Sequence, residues 1–323
     1  MKTAHCIVLA LSILAFQAPI AYAQAYPTKP IRMIVGFAAT GGADTSARLV
    51  AQKLSEALGQ NVVVENRTGA GGSLAAQRVA SSTPDGYTLL MIAAGSATIL
   101  PATRTLPYDM QRDFSPVSLV AVGTYVLATP AASPARSVQD LINLARPQPG
   151  KITYGTSGVG GTAHIIGLLF ESMAKVNLLH VPFKGGAEAV VAALGNQIQV
   201  VITTIPSVNP LVEAGRLRVL AVTTAQRSTL LPGTPTLDES GLRGFDRATW
   251  WGLLTPSRVP RDVVTRLNAA MVKAFNTPET KAAMTRIGIE AKTTTPAEFA
   301  ELIRRDLVEN AKLAKAAGIT ATD

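Results

Sequence analysis

The groups best placed to do chemistry in this chain belong to its backbone. Three glycine-rich turns each follow an apolar run and open a helical pattern: Thr40-Gly41-Gly42-Ala43-Asp44, Gly69-Ala70-Gly71-Gly72-Ser73 and Thr156-Ser157-Gly158-Val159-Gly160-Gly161-Thr162. Glycine lets main-chain N–H groups turn toward a bound group, and a helix start adds unpaired donors and partial positive charge. Such turns suit a carboxylate or phosphate held without a formal cation. Any one of them is equally well explained as a tight turn. Three at corresponding strand ends favour binding.

A few side chains stand close to these turns. Asp44 either caps the first helix or meets a ligand amine, and capping is favoured because Asp is a preferred N-cap residue. His164 opens a helix beyond the third turn and can serve a ligand or the loop backbone. Thr203 and Thr204 end a strand and offer hydroxyls to a cleft. Lys184, before Gly185-Gly186, either attracts an anion or is solvated. His180 reads as structural, and Trp250 and Trp251 as hinge or core packing.

Other chemistries lack their residues. Gly158-x-Gly160-x-x-Ala163 fits a loose dinucleotide-binding pattern. The acidic residue expected about twenty positions on is missing, since the segment reads His180-Val181-Pro182-Phe183-Lys184. There is no Gly-Lys-Ser/Thr phosphate loop, no His-x-x-x-His and no Gly-x-Ser-x-Gly. The expectation is therefore no cofactor, no metal and no catalytic residue. An exported enzyme, with a base hidden among the carboxylates, is the remote alternative.

The elements that must position these groups alternate. Ile31–Phe37, Asn61–Glu65 and Tyr87–Ala93 read as strands. Between them Ala47, Val50, Leu54 and Leu58 mark one helix and Ser73–Ala80 a second. Val117–Ala128 is a long apolar strand, interrupted by Gly123, that leaves one unit and enters another. The alternation then restarts: a helix capped by Ser137, strand Ile152–Gly155, helix His164–Ala174, strand Leu178–Phe183, helix Ala187–Leu194, strand Val200–Thr204, helix Pro206–Ala214 and strand Leu217–Val222. Trp250–Leu254 reads as a return strand before three helices, the last opening on the capping box Thr295-Pro296-Ala297-Glu298. Two α/β units joined by two crossings predict two lobes around a cleft, with ligand at the carboxyl ends of the strands. The expected lobes are residues 24–124 with 250–323, and residues 125–249.

Residues 1–23 read as a secretory signal peptide: Lys2, the apolar stretch from Cys6 to Phe16, and cleavage after Ala21-Tyr22-Ala23. Cys6 is the sole cysteine, so the exported chain would carry no thiol or disulfide. Roughly 300 residues remain, enough for two ordinary domains, and 47% hydrophobic content allows both a core. The formal net charge is +9, but the basic residues are scattered rather than striped, which suits a small anion and not nucleic acid.

With these segments in view, the chain resembles the Bug-type (TctC-like) tripartite tricarboxylate transporter receptors. The resemblance is carried by Tyr26-Pro27 with Lys29-Pro30-Ile31-Arg32, Gly41-Gly42-Ala43-Asp44, Val62-Val63-Val64-Glu65-Asn66-Arg67 and Gly69-Ala70-Gly71-Gly72. It continues through Pro84-Asp85-Gly86-Tyr87-Thr88-Leu89-Leu90, Leu106-Pro107-Tyr108-Asp109, His180-Val181-Pro182, Leu220-Ala221-Val222-Thr223 and Trp251-Gly252-Leu253. It implies a two-lobed type II periplasmic-binding-protein fold with the ligand cleft between the lobes. The implied ligand is a small carboxylate: a di- or tricarboxylate, an acidic amino acid or an aromatic acid. Delivery would be to integral-membrane transporter subunits, or a sensor protein would read the loaded form; a monomer is the default. Carried over by position, the ligand-binding residues are Phe37, Ala39, Thr40, Gly41, Gly42, Asp44, Ser96, Thr156, Gly158, Gly160, Gly161, Thr162, Ala163, His164, Thr203 and Thr204. The family often has proline where Gly36 stands, so Gly36 is expected to loosen the end of the first strand.

Overall fold

The computed structural model describes residues 26–36, 42–183 and 185–316. The leader 1–23, together with Phe37, Ala39, Thr40, Gly41 and Lys184, lies outside the described residues.

The first unit is built on three parallel strands, β1 (Ile31–Val35), β2 (Val62–Asn66) and β3 (Thr88–Ala93), in the order β2-β1-β3. Both faces of β1 are covered, which is why its sequence is nearly all apolar instead of alternating. Met33 and Val35 face α1 (Gly42–Leu58) through Val50 and Leu54, and α8 (Arg261–Phe275) through Leu267 and Met271. Ile34 and Leu90 turn the other way. They meet α2 (Ser73–Ala80) through Ala76 and Val79, and α10 (Pro296–Ala316) through Phe299 and Ile303. α10 starts as its sequence demands: Thr295 N–H donates to Glu298 Oε2 at 2.8 Å and Glu298 N–H to Thr295 Oγ1 at 3.2 Å.

The second unit repeats the plan with β5 (Thr153–Thr156), β6 (Leu179–Pro182) and β7 (Val200–Thr204), parallel in the order β7-β5-β6. Tyr154, Val200 and Ile202 pack against α5 (Thr162–Ala174) through Ile166 and Phe170 and against α4 (Val138–Ala145). Val201 packs on the opposite face against α6 (Gly186–Leu194) and α7 (Ile205–Glu213) through Val190, Ala193 and Val208.

Two strands connect the units. β4 (Phe114–Pro130) pairs antiparallel with β9 (Ala248–Pro256) from Phe114 to Thr124. From Tyr125 it pairs with β7, and from Val126 with β8 (Leu217–Val222). β9 in turn closes against β3, with Leu90 opposite Leu254. The sheet therefore runs unbroken through both units and curls between them. Gly123 marks the crossing because the Trp251 ring lies over it: a Cβ there would stand 3.0 Å from Trp251 Cη2.

Asp44 falls within helix α1 as described from Gly42. Two local readings change. β4 is longer at both ends than Val117–Ala128. Gly36 does not loosen its strand. A Cβ on it would lie 2.7 Å from Gly72 Cα, so its glycine is what lets two turns touch. Among the described residues, no helix is long and apolar enough to cross a membrane.

Candidate functional site

The carboxyl ends of β3, β5 and β7 converge where the units meet, around a cavity of about 390 Å³. The first unit supplies Gly71, Ser96, Leu100, Thr103 and Arg104; the second supplies Ser157, Val159, Gly160, Gly161, Thr162 and Thr204; Tyr125, Thr249 and Trp251 come from the crossing strands.

On the first unit's side, Ser96 Oγ donates to the Gly71 carbonyl at 2.6 Å. Gly71 and Gly72 both hold positive φ, 67° and 93°, a region that glycine enters without steric cost. A Cβ on Gly72 would also press to 2.9 Å from Ser96 Oγ. Gly36, Gly72 and Ser96 thus form one tight stack at the strand ends.

The second unit's turn is held from beneath. Gly160 N–H donates to His164 Nδ1 at 3.0 Å. Thr156 Oγ1 accepts from Gly158 N–H at 3.3 Å and lies 2.7 Å from His180 Nε2. Burial holds both imidazoles below the ordinary histidine range, His180 at about 4 with His164 beside it adding to the effect. They are neutral at pH 7, as the Gly160 N–H···Nδ1 bond requires. Helix α5 then begins at Thr162 with no side-chain cap, so its first-turn N–H groups have no intrahelical partners.

The two sides meet at Thr162. A Cβ on Gly95 would lie 3.2 Å from Thr162 Oγ1. The Tyr125 hydroxyl, on the crossing strand, is pushed up to about 12 by burial, with Thr162 and Thr249 beside it acting in the opposite sense. One polar cluster therefore links both units and the hinge.

Of the residues expected from sequence, Ser96, Gly160, Gly161, Thr162 and Thr204 line this cavity. Thr156, Gly158, Ala163, His164 and Thr203 do not. Thr156 is fully buried and Ala163 is 1% exposed in the second core. His164 and Gly158 are engaged in the loop's own hydrogen bonds. Thr203 turns to the opposite face of β7, where a Cβ on Gly186 would stand 2.6 Å from its Oγ1. Gly42 and Asp44 sit in the first turn of α1. Sequence reading missed Tyr125, Thr249, Arg104 and Thr103. It also gave Trp251 a packing role like that of Trp250. Trp250 is buried, its indole donating to Asp306 Oδ2 at 2.8 Å, whereas Trp251 borders the cavity.

A larger hollow of about 610 Å³ shares Thr162 but faces α10 and the 224–229 segment. Its three arginines already hold carboxylates, Arg247 with Glu309 at 2.7 Å, Arg227 with Glu239 at 2.9 Å and Arg305 with Asp306 at 3.2 Å, and Asp246 and Glu290 add acidic groups to its wall. It gathers no glycine turn, so the smaller cavity is the better ligand site. Among the described residues no group of three metal-binding side chains occurs.

Two α/β lobes around a cleft, joined by a strand that runs through both, define a receptor of the periplasmic-binding-protein class. The chain is 37% identical over 284 residues to a UPF0065 protein from the tcbD-tcbE intergenic region of Pseudomonas sp. strain P51, covering 88% of this chain and 84% of that one. Rpa4515 of R. palustris, solved with adipate, superposes with a TM-score of 0.83 at 34% identity, covering 92% of this chain and 100% of that one. MatC (Rpa3494) of Rhodopseudomonas palustris, solved with bound malate, gives 0.77 at 28% identity, covering 89% and 99%. Residues 46–319 match the tripartite tricarboxylate transporter family receptor, TctC. The chain belongs to that family.

Proposed function

We propose that this protein captures a small carboxylate in the periplasm and delivers it to the membrane subunits of a tripartite tricarboxylate-type transporter. The carrying observation is the cavity wall. The start of α5, the glycine turn before it and the Ser96–Gly71 turn opposite border one space, and no described residue bordering it is acidic. Such a wall favours an anion. The adipate and malate bound to the two related structures support the ligand class.

In this reading the lobes are residues 24–124 with 250–323, and residues 125–249; the change of β4's partners from β9 to β7 and β8 after Thr124 supports the first boundary. Residues 1–23 direct export and are removed after Ala23. Contacts come from Ser96, Gly160, Gly161, Thr162 and Thr204, together with Phe37, Ala39, Thr40 and Gly41. A ligand touching both lobes stabilises the closed form through contacts the open form lacks, and the membrane partner reads that form. The protein acts as a monomer and performs no turnover.

The test is a thermal-shift screen of the chain from Gln24, with di- and tricarboxylates, acidic amino acids and benzoate-type acids. A ligand that binds only the native state raises Tm by mass action. A shift confined to one class names the ligand. If none shifts Tm, and mass spectrometry of the denatured protein releases no co-purified acid, carboxylate capture is refuted.

A further inference from the structure

Arg104 is the one cation among the described residues that border the cavity. It follows α3 (Leu100–Thr103), and its backbone is extended there, φ −147° and ψ 149°. The side chain is exposed and forms no ion pair or hydrogen bond among the described residues. The arginines on the neighbouring hollow are different: Arg227, Arg247 and Arg305 each hold a carboxylate. An unpaired arginine facing solvent is ordinary. An unpaired arginine on the wall of a binding cavity, with no described acid on that wall, leaves its charge for whatever enters.

Its position gives that charge a use. Thr103, next to it, borders the opposite lobe: a Cβ on Gly160 would lie 3.7 Å from Thr103 Oγ1. Arg104 therefore stands where the first lobe meets the glycine turn of the second. Leu100, Val159 and Trp251 add apolar surface to the same cavity. On the carboxylate reading of this cleft, the unpaired N–H groups at the α5 start hold one anionic group. Arg104 offers a guanidinium fork to another, and hydrocarbon fits between.

Resting on the carboxylate reading of this cleft, we propose that Arg104 is a specificity-determining residue: it binds a second carboxylate, so the receptor selects acids charged at both ends of an apolar body over monoacids of the same length. A fork-to-carboxylate pair is directional and charge-assisted. Its loss should be felt far more by the diacid than by the monoacid.

The experiment is isothermal titration of wild type, Arg104→Gln and Arg104→Lys with adipate and hexanoate, at low and high salt. Wild type is expected to bind adipate at least roughly tenfold more tightly than hexanoate, the scale of one charged hydrogen bond. Arg104→Gln should remove that preference and its salt dependence by weakening adipate far more than hexanoate, with Tm unchanged. Arg104→Lys should retain part of it, keeping the charge and losing the fork. Equal weakening of both acids by Arg104→Gln, through slower association alone, would make Arg104 a steering charge and overturn the assignment. No change for either acid would overturn it as well. Wild type that binds no acid of the wider panel removes the carboxylate reading itself, and this proposal with it; wild type that binds both acids equally removes only the role of Arg104.

Discussion

The imidazoles of His164 and His180 lie face to face, centroids 3.9 Å apart and 13° from parallel, with the Tyr154 ring 4.9 Å from His180. Each ring holds a different residue of the glycine turn: His164 takes Gly160 N–H, and His180 reaches Thr156 Oγ1. The turn that borders the ligand cavity is thus mounted on two neutral, stacked histidines.

That mounting makes stability sensitive to acid. His180 is held at about 4 in the fold, against about 6.5 for a free histidine. Between those values the unfolded chain binds more protons, so stability rises with pH. The contribution is complete above about 6.5 and is lost as pH falls toward 4. Glu171 and Asp306, both pushed up by burial, act in the opposite sense, so the measurement is a difference. Wild type should lose Tm from pH 7 to pH 4.5 by several degrees more than His180→Gln, on the order of 2–4 °C per kcal/mol for a chain of this size. Parallel Tm curves for the two proteins would exclude His180 as the source.

Neighbouring threonines should separate affinity from stability. Thr204→Val and Thr162→Val remove hydroxyls from the cavity wall and should weaken carboxylate binding by about 1–3 kcal/mol, the scale of a hydrogen bond to a charged group. Thr203→Val and Thr156→Val alter buried hydroxyls off the cavity and should lower Tm with a smaller effect on affinity. Titration calorimetry and thermal melts on the same four variants check the division. A Thr203→Val that binds weakly but melts normally would move Thr203 into the site.

Gly95 should tolerate no large side chain in the closed arrangement. A Cβ there already meets Thr162 Oγ1 of the other lobe at 3.2 Å. Gly95→Val should hold the lobes apart, weakening binding by roughly tenfold or more while leaving each core and Tm nearly intact. Small-angle scattering with saturating ligand should show the variant more extended than wild type.

Gly252→Ala should instead damage the fold. Its Cβ would collide with the ring of Phe299, where β9 and α10 pack in the first lobe. Overpacking of this kind costs about 1–3 kcal/mol. Adding Phe299→Leu should restore part of the lost Tm. Failure of the pair to recover would place the strain in the β9 backbone.

The alternation of strands and helices was legible because apolar runs and helical periods mark each element locally. β4 was legible as a passage between units because Val117–Ala128 is too long and apolar for an edge. Which face each residue takes was harder. Both faces of β7 are buried, so no alternation distinguishes Thr203 from Thr204. The glycine turns announced themselves through composition, but their support did not: His180 and Thr156 meet only because β5 and β6 pair in parallel. Tyr125, Thr249 and Arg104 come from the crossing strands and the opposite lobe. Nothing near them in sequence signals that tertiary folding brings them to one cavity.

The passage of β4 through both lobes has a mechanical consequence. Its backbone pairing continues without a gap, Thr124 opposite Ala248 on β9 and Tyr125 opposite Thr204 on β7. There is no slack tether to swing on. The lobes are joined by a torsion spring, and any change of their angle is a twist shared along hydrogen-bonded ladders. The resting angle and the stiffness of that spring decide how much of the free protein already sits closed, and so how much binding energy a ligand must devote to closure. Substitutions around Gly123 and Trp251 can therefore retune affinity without altering the groups that hold the ligand's anionic end.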